Sequence, residues 1–166
     1  QAVALRPEYA EAYINLGVIL RELGKLDEAE TTLRQAVALR PEYAEAYINL
    51  GVILRELGKL DEAEITLRQA IALRPEYAEA HNNLGVILQE ISKLAEAEAT
   101  LRQAIALKPG YAEAHHTLGA TLKELGKLKE AEATLRQAIA LRPQYAKAHS
   151  NLGTTLRELG RLHEAE

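Results

Sequence analysis

Apolar residues recur along this chain at the spacing of α-helices, in blocks that repeat every 34 residues. The run 10–23 predicts a first helix, because its apolar residues share one helical face: Ala12, Tyr13, Leu16, Leu20 and Leu23. The run 26–39 predicts a second helix with an apolar face of its own: Leu26, Ala29, Leu33, Ala36 and Val37. Each block therefore predicts a pair of helices, and no run shows the alternation typical of a strand.

Glycine and proline mark the ends of the predicted helices. Gly24 follows the first run, where glycine commonly terminates a helix. Pro41 follows the second run; it lacks the N–H that would continue a helix, and it disfavours helical backbone at the preceding residue. Gly17 lies within a first helix, where glycine costs about 1 kcal/mol relative to alanine. We therefore expect its backbone to press against a neighbour, with Ala29 and Ala36 at the facing positions.

The strict period predicts stacked copies of one small repeat in place of a single globular core. Residues 1–30 recur without change at 35–64. We divide the chain as a single array, with partial repeats at 1–9 and 146–166 and full repeats at 10–43, 44–77, 78–111 and 112–145. Because the last repeat is partial, we expect its first helix to carry an incompletely covered face at Leu152, Leu156 and Leu159.

The spacing Tyr13-x2-Leu16-Gly17-x2-Leu20, followed by Ala29-x3-Leu33 and Pro41, resembles the tetratricopeptide repeat, a 34-residue unit. The resemblance covers the whole chain. It departs at the three positions where the family favours Trp, Tyr and Phe, since this chain has Tyr or His at the first and Leu at the other two. Histidine stands at the first of these positions in the later repeats: His81, His115 and His149. The resemblance implies an all-α solenoid of stacked antiparallel helix pairs, wound as a right-handed superhelix. It also implies a concave groove, lined by the first helices, that holds a peptide or protein segment.

This resemblance places candidate peptide-binding residues on the first helix of each repeat. One row is mostly asparagine: Asn15, Asn49, Asn83, Thr117 and Asn151. It is flanked by an apolar set, Ile14, Val18, Ile48 and Val52, and by a basic set, Arg21, Arg55, Lys123 and Arg157. The asparagine row is similar to the ladder of O-linked N-acetylglucosamine transferases, in which Asn side chains hold the substrate backbone.

Asparagine is a poor helix former, so its place within a helix needs a reason. A carboxamide has one acceptor and two donors, which match the C=O and N–H of a peptide group. An alternative role for the row is to tie neighbouring helices together, and duplication of one ancestral Asn explains its recurrence. Thr117 interrupts the row.

The copies differ along the predicted groove. The first two repeats offer the apolar set, whereas the last two offer mainly small or polar residues: His116, Ala120, Ser150 and Thr154. We therefore hypothesise that a bound segment places apolar residues at the first two repeats and polar residues beyond them. Neutral drift after duplication is the alternative explanation.

The composition excludes several classes of function. A net charge of −4 and a pI near 5.8 argue against a protein that binds nucleic acid through phosphates. The chain has no cysteine, hence no disulfide, thiolate metal site or thiol nucleophile. No apolar stretch is long enough to span a bilayer, so we expect no membrane partner. The compartment is undecided, with a cytoplasmic setting favoured.

We expect no catalytic, metal or cofactor site. The three periodic histidines lie one per repeat, too far apart to share a metal ion, and we interpret them as packing residues. The only serines are Ser92 and Ser150, so a catalytic site with a serine nucleophile and its histidine base has few candidate residues. Ser92 takes the place of a turn glycine.

The favoured function is a non-catalytic module that binds a protein or an extended peptide in the groove. One alternative is a self-assembling scaffold formed by end-to-end stacking. Another is a substrate-recruiting arm of a larger glycosyltransferase.

Overall fold

The computed structural model describes residues 7–160, and this part of the chain consists of nine α-helices without a strand. The helices are α1 Pro7–Glu22, α2 Leu26–Leu39, α3 Ala44–Glu56, α4 Leu60–Leu73, α5 Ala78–Glu90, α6 Leu94–Leu107, α7 Ala112–Glu124, α8 Leu128–Leu141 and α9 Ala146–Glu158. Within the described range, none of these helices has the length and hydrophobicity needed to cross a membrane.

The helix limits follow the sequence pattern closely. α2 spans Leu26–Leu39 as predicted, and Arg40 leaves the helical region with φ −139° and ψ 82°, as expected for a residue before proline. α1 begins at Pro7 instead of the predicted Ala10. A proline is compatible with the first helical position, because the N–H of that position has no partner within the helix.

A Schellman motif ends the first helix of the pair. The Gly24 N–H donates to the Arg21 carbonyl at 2.9 Å, and the Lys25 N–H donates to the Leu20 carbonyl at 2.9 Å. The motif requires a left-handed residue, and glycine supplies it with φ of 73°, 76°, 74° and 75° at Gly24, Gly58, Gly126 and Gly160. Ser92 occupies the same place with φ 61°, which confirms that it replaces the turn glycine.

Replacing Ser92 with glycine is expected to stabilise the protein by about 0.5–1 kcal/mol. A left-handed conformation costs a non-glycine residue roughly 1–2 kcal/mol, and glycine removes this cost. The net gain is smaller, because glycine also increases the conformational entropy of the unfolded state. Urea unfolding of Ser92→Gly measures the gain. The reciprocal variant Gly58→Ser serves as the control and should lose a similar amount. Equal stability of both variants and the parent would contradict the assignment of strain to Ser92.

The described residues form two compact bodies, an N-terminal body that ends at Asn83 and a C-terminal body that begins at Leu84, with the division inside α5. In the N-terminal body, α1 pairs with α2 and α3 with α4, α2 also packs against α3, and α1 lies beside α3. In the C-terminal body, α7 packs against α6 and α8, α8 packs against α9, and α7 lies beside α9. In both bodies the first helices of successive repeats are therefore neighbours.

The second helices bury small and branched residues at the predicted positions, since Ala29, Leu33 and Ala36 are all 0% exposed. Gly17 is buried against α2, as its place within a helix predicted. A Cβ at Gly17 would lie 2.7 Å from Leu33 Cγ. The three atoms nearest to this Cβ all belong to Leu33, which lies between the predicted Ala29 and Ala36, and at the equivalent Gly119 the carbonyl oxygen of Ala131, the counterpart of Ala29, is also within 3.5 Å.

The core also includes a position of the first helices that the sequence pattern did not predict to be buried. The side chain at this position is fully buried in four successive repeats: Ile53, Ile87, Thr121 and Thr155. Leu156 is only 1% exposed, so the expectation of an uncovered face was wrong for this residue, while Leu152 and Leu159 are half-buried.

Candidate functional site

In the N-terminal body, the apolar candidate residues divide into two classes. Ile14 and Ile48 are 7% and 4% exposed, and Ile48 packs in a cluster with Ala70 and Ala80. These isoleucines therefore support the first helices and leave little surface for a ligand. Val18 and Val52, one helical turn further along, are half-buried and present part of their surface to solvent.

The basic candidate residue of α1 connects neighbouring helices. Arg21 donates from Nε and Nη2 to Glu56 Oε1, at 2.9 and 2.5 Å. The hydrogen bond to Glu56 raises the pKa of Arg21, and the guanidinium keeps its charge. Arg21 thus holds α1 beside α3. Arg55, the matching residue of α3, is half-buried.

Asparagine side chains of the N-terminal body keep much of their hydrogen-bonding capacity. Asn15 is exposed and has no hydrogen-bond partner among the described residues. Asn49 is half-buried; its Nδ2 donates to the Glu45 carbonyl at 3.0 Å, which leaves the amide oxygen available. Asn83 accepts a long hydrogen bond of 3.5 Å from Asn82. The carboxamides of α1 and α3 therefore lie on adjacent helices, and each keeps polar atoms without a partner among the described residues.

The asparagine row makes different hydrogen bonds in the C-terminal body. Thr117 is 8% exposed, and its hydroxyl donates to the Glu113 carbonyl at 3.0 Å. Asn151 lies 3.0 Å from His116, with the amide Nδ2 donating to Nε2 of the neutral ring. This bond joins α9 to α7, which is the helix-tying role that the sequence left open.

His116 belongs to a small polar cluster. Its ring lies 4.9 Å from that of Tyr145 at an angle of 45°. Burial lowers the pKa of His116, the charge of Lys147 lowers it further, and Glu113 opposes both. The neutral ring is therefore favoured, in agreement with its acceptance of a hydrogen bond from Asn151.

The remaining candidate residues of the C-terminal body lie on α7 and α9. Lys123 is half-buried, and its Nζ donates to the Thr154 hydroxyl at 3.4 Å. Arg157 and Ser150 are exposed, whereas Ala120 is half-buried. Lys123 is thus another link between neighbouring first helices.

Two residues at this surface, Glu56 and Glu124, were not predicted from the sequence. Glu56 accepts from Arg21, and Glu124 accepts from Gln89 at 2.5 Å. Both pairs are 35 residues apart, as are His116 and Asn151. A separation of one repeat plus one residue therefore marks side chains that meet across neighbouring first helices, and a search for complementary residues at that spacing would have found them.

The periodic histidines contact the chain's own backbone. The Nε2 atoms of His81, His115 and His149 lie 2.8, 2.9 and 2.8 Å from the carbonyls of Pro75, Pro109 and Pro143. These bonds fasten each first helix to the turn before it, in keeping with the predicted packing role. Within residues 7–160, no group of three or more His, Cys, Asp or Glu side chains is placed to hold a metal ion.

Solved structures with this fold cover most of the chain. The MamA protein is 26% identical with a TM-score of 0.82, and the match covers 96% of this chain and 87% of MamA. TTC0263, a thermophilic TPR protein of Thermus thermophilus, is 29% identical with a TM-score of 0.79, over 94% and 86% of the two chains. YrrB, described as a TPR protein with an unusual peptide-binding site, is 25% identical with a TM-score of 0.73, over 92% and 79%.

These similarities confirm the predicted all-α solenoid of helix pairs. A sequence comparison with curated proteins found no significant match. The model of the family described as "Cilia and flagella-associated protein 70 C-terminal domain" matches residues 1–166. The chain therefore belongs to this family of tetratricopeptide-repeat domains.

Proposed function

We propose that this protein is a non-catalytic interaction module that binds an extended peptide segment along its first helices. The observation that carries the proposal is the pair Asn15 and Asn49, which lie on adjacent helices with amide atoms that no described residue bonds. Val18 and Val52 add partly exposed apolar surface beside them. YrrB, which shares the fold, is described as having a peptide-binding site, and this supports the same kind of ligand here.

The spacing of the helices suits an extended chain. Packed helices lie roughly 8–10 Å apart, and an extended peptide advances about 3.3 Å per residue. Successive asparagines would therefore meet about every third peptide group. Each carboxamide can accept from an N–H and donate to a C=O, so it recognises the backbone whatever the ligand's sequence.

The side chains around the asparagines set the preference of the ligand. Val18 and Val52 favour apolar ligand residues at the first two repeats. Taken by itself, the C-terminal body presents the exposed Ser150 and the half-buried His116 and Thr154, which would favour polar residues in a segment bound there. Because Asn151 already bonds His116, we assign most of the backbone recognition to α1 and α3.

Removing the carboxamides is expected to weaken peptide binding without unfolding the protein. The test compares the parent with the variant Asn15→Ala, Asn49→Ala and Asn83→Ala. Its probes are linear peptides selected on the parent from a random display library. Each lost hydrogen bond should cost about 0.5–1.5 kcal/mol, and fluorescence anisotropy measures the loss. Alanine favours helix, so circular dichroism should be unchanged.

A matched control changes three exposed amides on the second helices, namely Gln35, Gln69 and Gln103, to alanine. This control should bind the peptides as tightly as the parent. A further variant, Asn151→Ala, should lose less affinity than Asn49→Ala. Undiminished binding by the triple asparagine variant would refute the role of the carboxamides, and failure to select any peptide would refute the function itself.

A further inference from the structure

The hydrogen bond between Asn151 and His116 includes a group that can change its charge. Asn151 Nδ2 lies 3.0 Å from His116 Nε2, and the bond joins α9 to α7. Asn151 is half-buried, and its Oδ1 has no hydrogen-bond partner among the described residues. With His116 neutral, the carboxamide therefore directs a donor to the ring and keeps its acceptor for other groups.

A titratable partner distinguishes Asn151 from the asparagines of the N-terminal body. His116 precedes Asn151 by 35 residues. The residue at the same spacing before Asn49 is Ile14, and an isoleucine also precedes Asn83 by 35 residues. An isoleucine side chain has neither a donor nor an acceptor, and it carries no charge at any pH. A change of pH therefore reaches the asparagine row at Asn151.

Protonation of His116 reverses the role of its Nε2 atom. The neutral ring accepts a hydrogen bond there, whereas the imidazolium donates from both ring nitrogens. Nε2–H would then face the Nδ2 hydrogens of Asn151, and two donors cannot bond each other. The carboxamide restores the bond by rotating about its Cβ–Cγ bond until Oδ1 and Nδ2 exchange places, because this terminal torsion is broad. Oδ1 then accepts a charge-assisted bond, which is stronger than a bond between neutral groups.

We propose that His116 orients the carboxamide of Asn151, and that its protonation state decides which amide atom the C-terminal body presents. With the ring neutral, Asn151 presents the acceptor Oδ1; with the ring protonated, it presents the donor Nδ2. His116 is thus a positioning residue that acts through Asn151. The orientation is a property of the free protein, whereas its consequence for a ligand rests on the proposed peptide binding.

The groups around His116 set the pH at which the ring changes state. Burial lowers the pKa of His116, the charge of Lys147 on α9 lowers it further, and Glu113 on α7 raises it. Arg142, which follows α8, bonds Glu113, and Tyr145 before α9 packs its ring against His116. The helices α6 and α8 add apolar side chains to the core beside α7. The neutral arrangement is therefore present above the ordinary histidine pKa of about 6.5 and is lost as the pH falls through the lower value.

A pH titration of the full chain by NMR tests the orientation. The spectra follow the imidazole nitrogens of His116 and the side-chain amide of Asn151 as the pH falls from about 8 to about 5, where histidine titrates. We expect both groups to change together, in one transition below that of an exposed histidine. The Asn49 amide, which bonds the Glu45 carbonyl, is a control in the same spectra and should not follow this transition. A ring that stays neutral until the chain unfolds would overturn the proposal, and so would an Asn151 amide that does not follow the ring.

Two variants show whether His116 itself controls Asn151. His116→Ile introduces the residue that the first two repeats carry at this position, so we expect it to fold, and the Asn151 amide should then show no transition. The matched control is His115→Tyr, which likewise introduces the residue of the first two repeats. It removes a neighbouring histidine that bonds the Pro109 carbonyl, and it should leave the transition unchanged. A transition that persists in His116→Ile or disappears in His115→Tyr would overturn the assignment.

The peptides selected on the parent at neutral pH test the consequence for binding. A segment along α7 and α9 that donates a backbone N–H to Asn151 loses this bond when the ring is protonated. Lowering the pH to about 5 should therefore weaken binding by the parent about two- to tenfold more than binding by His116→Ile, the effect of one hydrogen bond. An equal loss in both chains would overturn the role of Asn151 in recognition. The NMR titration decides its orientation in the free protein, so the two proposals fail separately.

Discussion

Replacing Gly51 with alanine is expected to destabilise the protein by about 1–3 kcal/mol through overpacking, although alanine is the better helix former by about 1 kcal/mol. The added Cβ would lie 2.7 Å from Leu67 Cγ and 3.0 Å from Leu67 Cδ2. Leu67 is fully buried, so it has little room to withdraw. Urea or thermal unfolding monitored by circular dichroism measures the effect.

A double-mutant cycle with Leu67→Ala isolates the close contact as the cause. Leu67→Ala alone should cost about 2–5 kcal/mol because it leaves a cavity in the core. In that background, Gly51→Ala should be neutral or stabilising, since its clash partner is gone and the gain in helix propensity remains. Gly110→Ala is the control for a glycine in open space, with no atom within 4 Å of an added Cβ, and should change stability little. An equal cost of Gly51→Ala in both backgrounds would show that Leu67 is not the obstacle.

Replacing Asn82 with isoleucine is expected to stabilise the protein by about 1–3 kcal/mol. Asn82 is only 6% exposed, and its amide oxygen is buried without a hydrogen-bond partner among the described residues. A buried acceptor left unsatisfied costs roughly 1–3 kcal/mol, and an apolar side chain of suitable shape removes that cost. Isoleucine fits the position, because Ile14 and Ile48 occupy it in the first two repeats at 7% and 4% exposure.

Two further substitutions serve as comparisons for the stability of Asn82→Ile. Ile48→Asn should be strongly destabilising, since it introduces an unsatisfied amide into the cluster with Ala70 and Ala80. Asn83→Ile, at a half-buried neighbour, should show no comparable gain. If Asn82→Ile leaves the unfolding midpoint unchanged, the amide oxygen of Asn82 has a partner in solution, such as a bound water.

The helices of this fold were predictable because every repeat carries the same local signals. The limits of α2 coincide with the predicted run, and the turn after α1 uses the predicted glycine. The hydrogen-bond partners of the candidate binding residues could not be predicted in the same way. Asn15 and Asn151 both precede a Leu-Gly pair within a first helix, yet Asn151 bonds His116, and Asn15 has no partner among the described residues. His116 belongs to another repeat than Asn151, and helical periodicity does not predict contacts between repeats.

By itself, the sequence determined the repeat, the positions of its helices and turns, and the face that each second helix buries. Helical spacing, glycine and proline act over a few residues, so these features can be inferred locally. Only the tertiary structure decided which surfaces remain open. Leu16 and Leu50 have identical neighbours along the chain, but Leu16 is 44% exposed and Leu50 is 4% exposed. Exposure depends on which helix packs alongside: α2 covers this face of α3, whereas no described helix covers the matching face of α1.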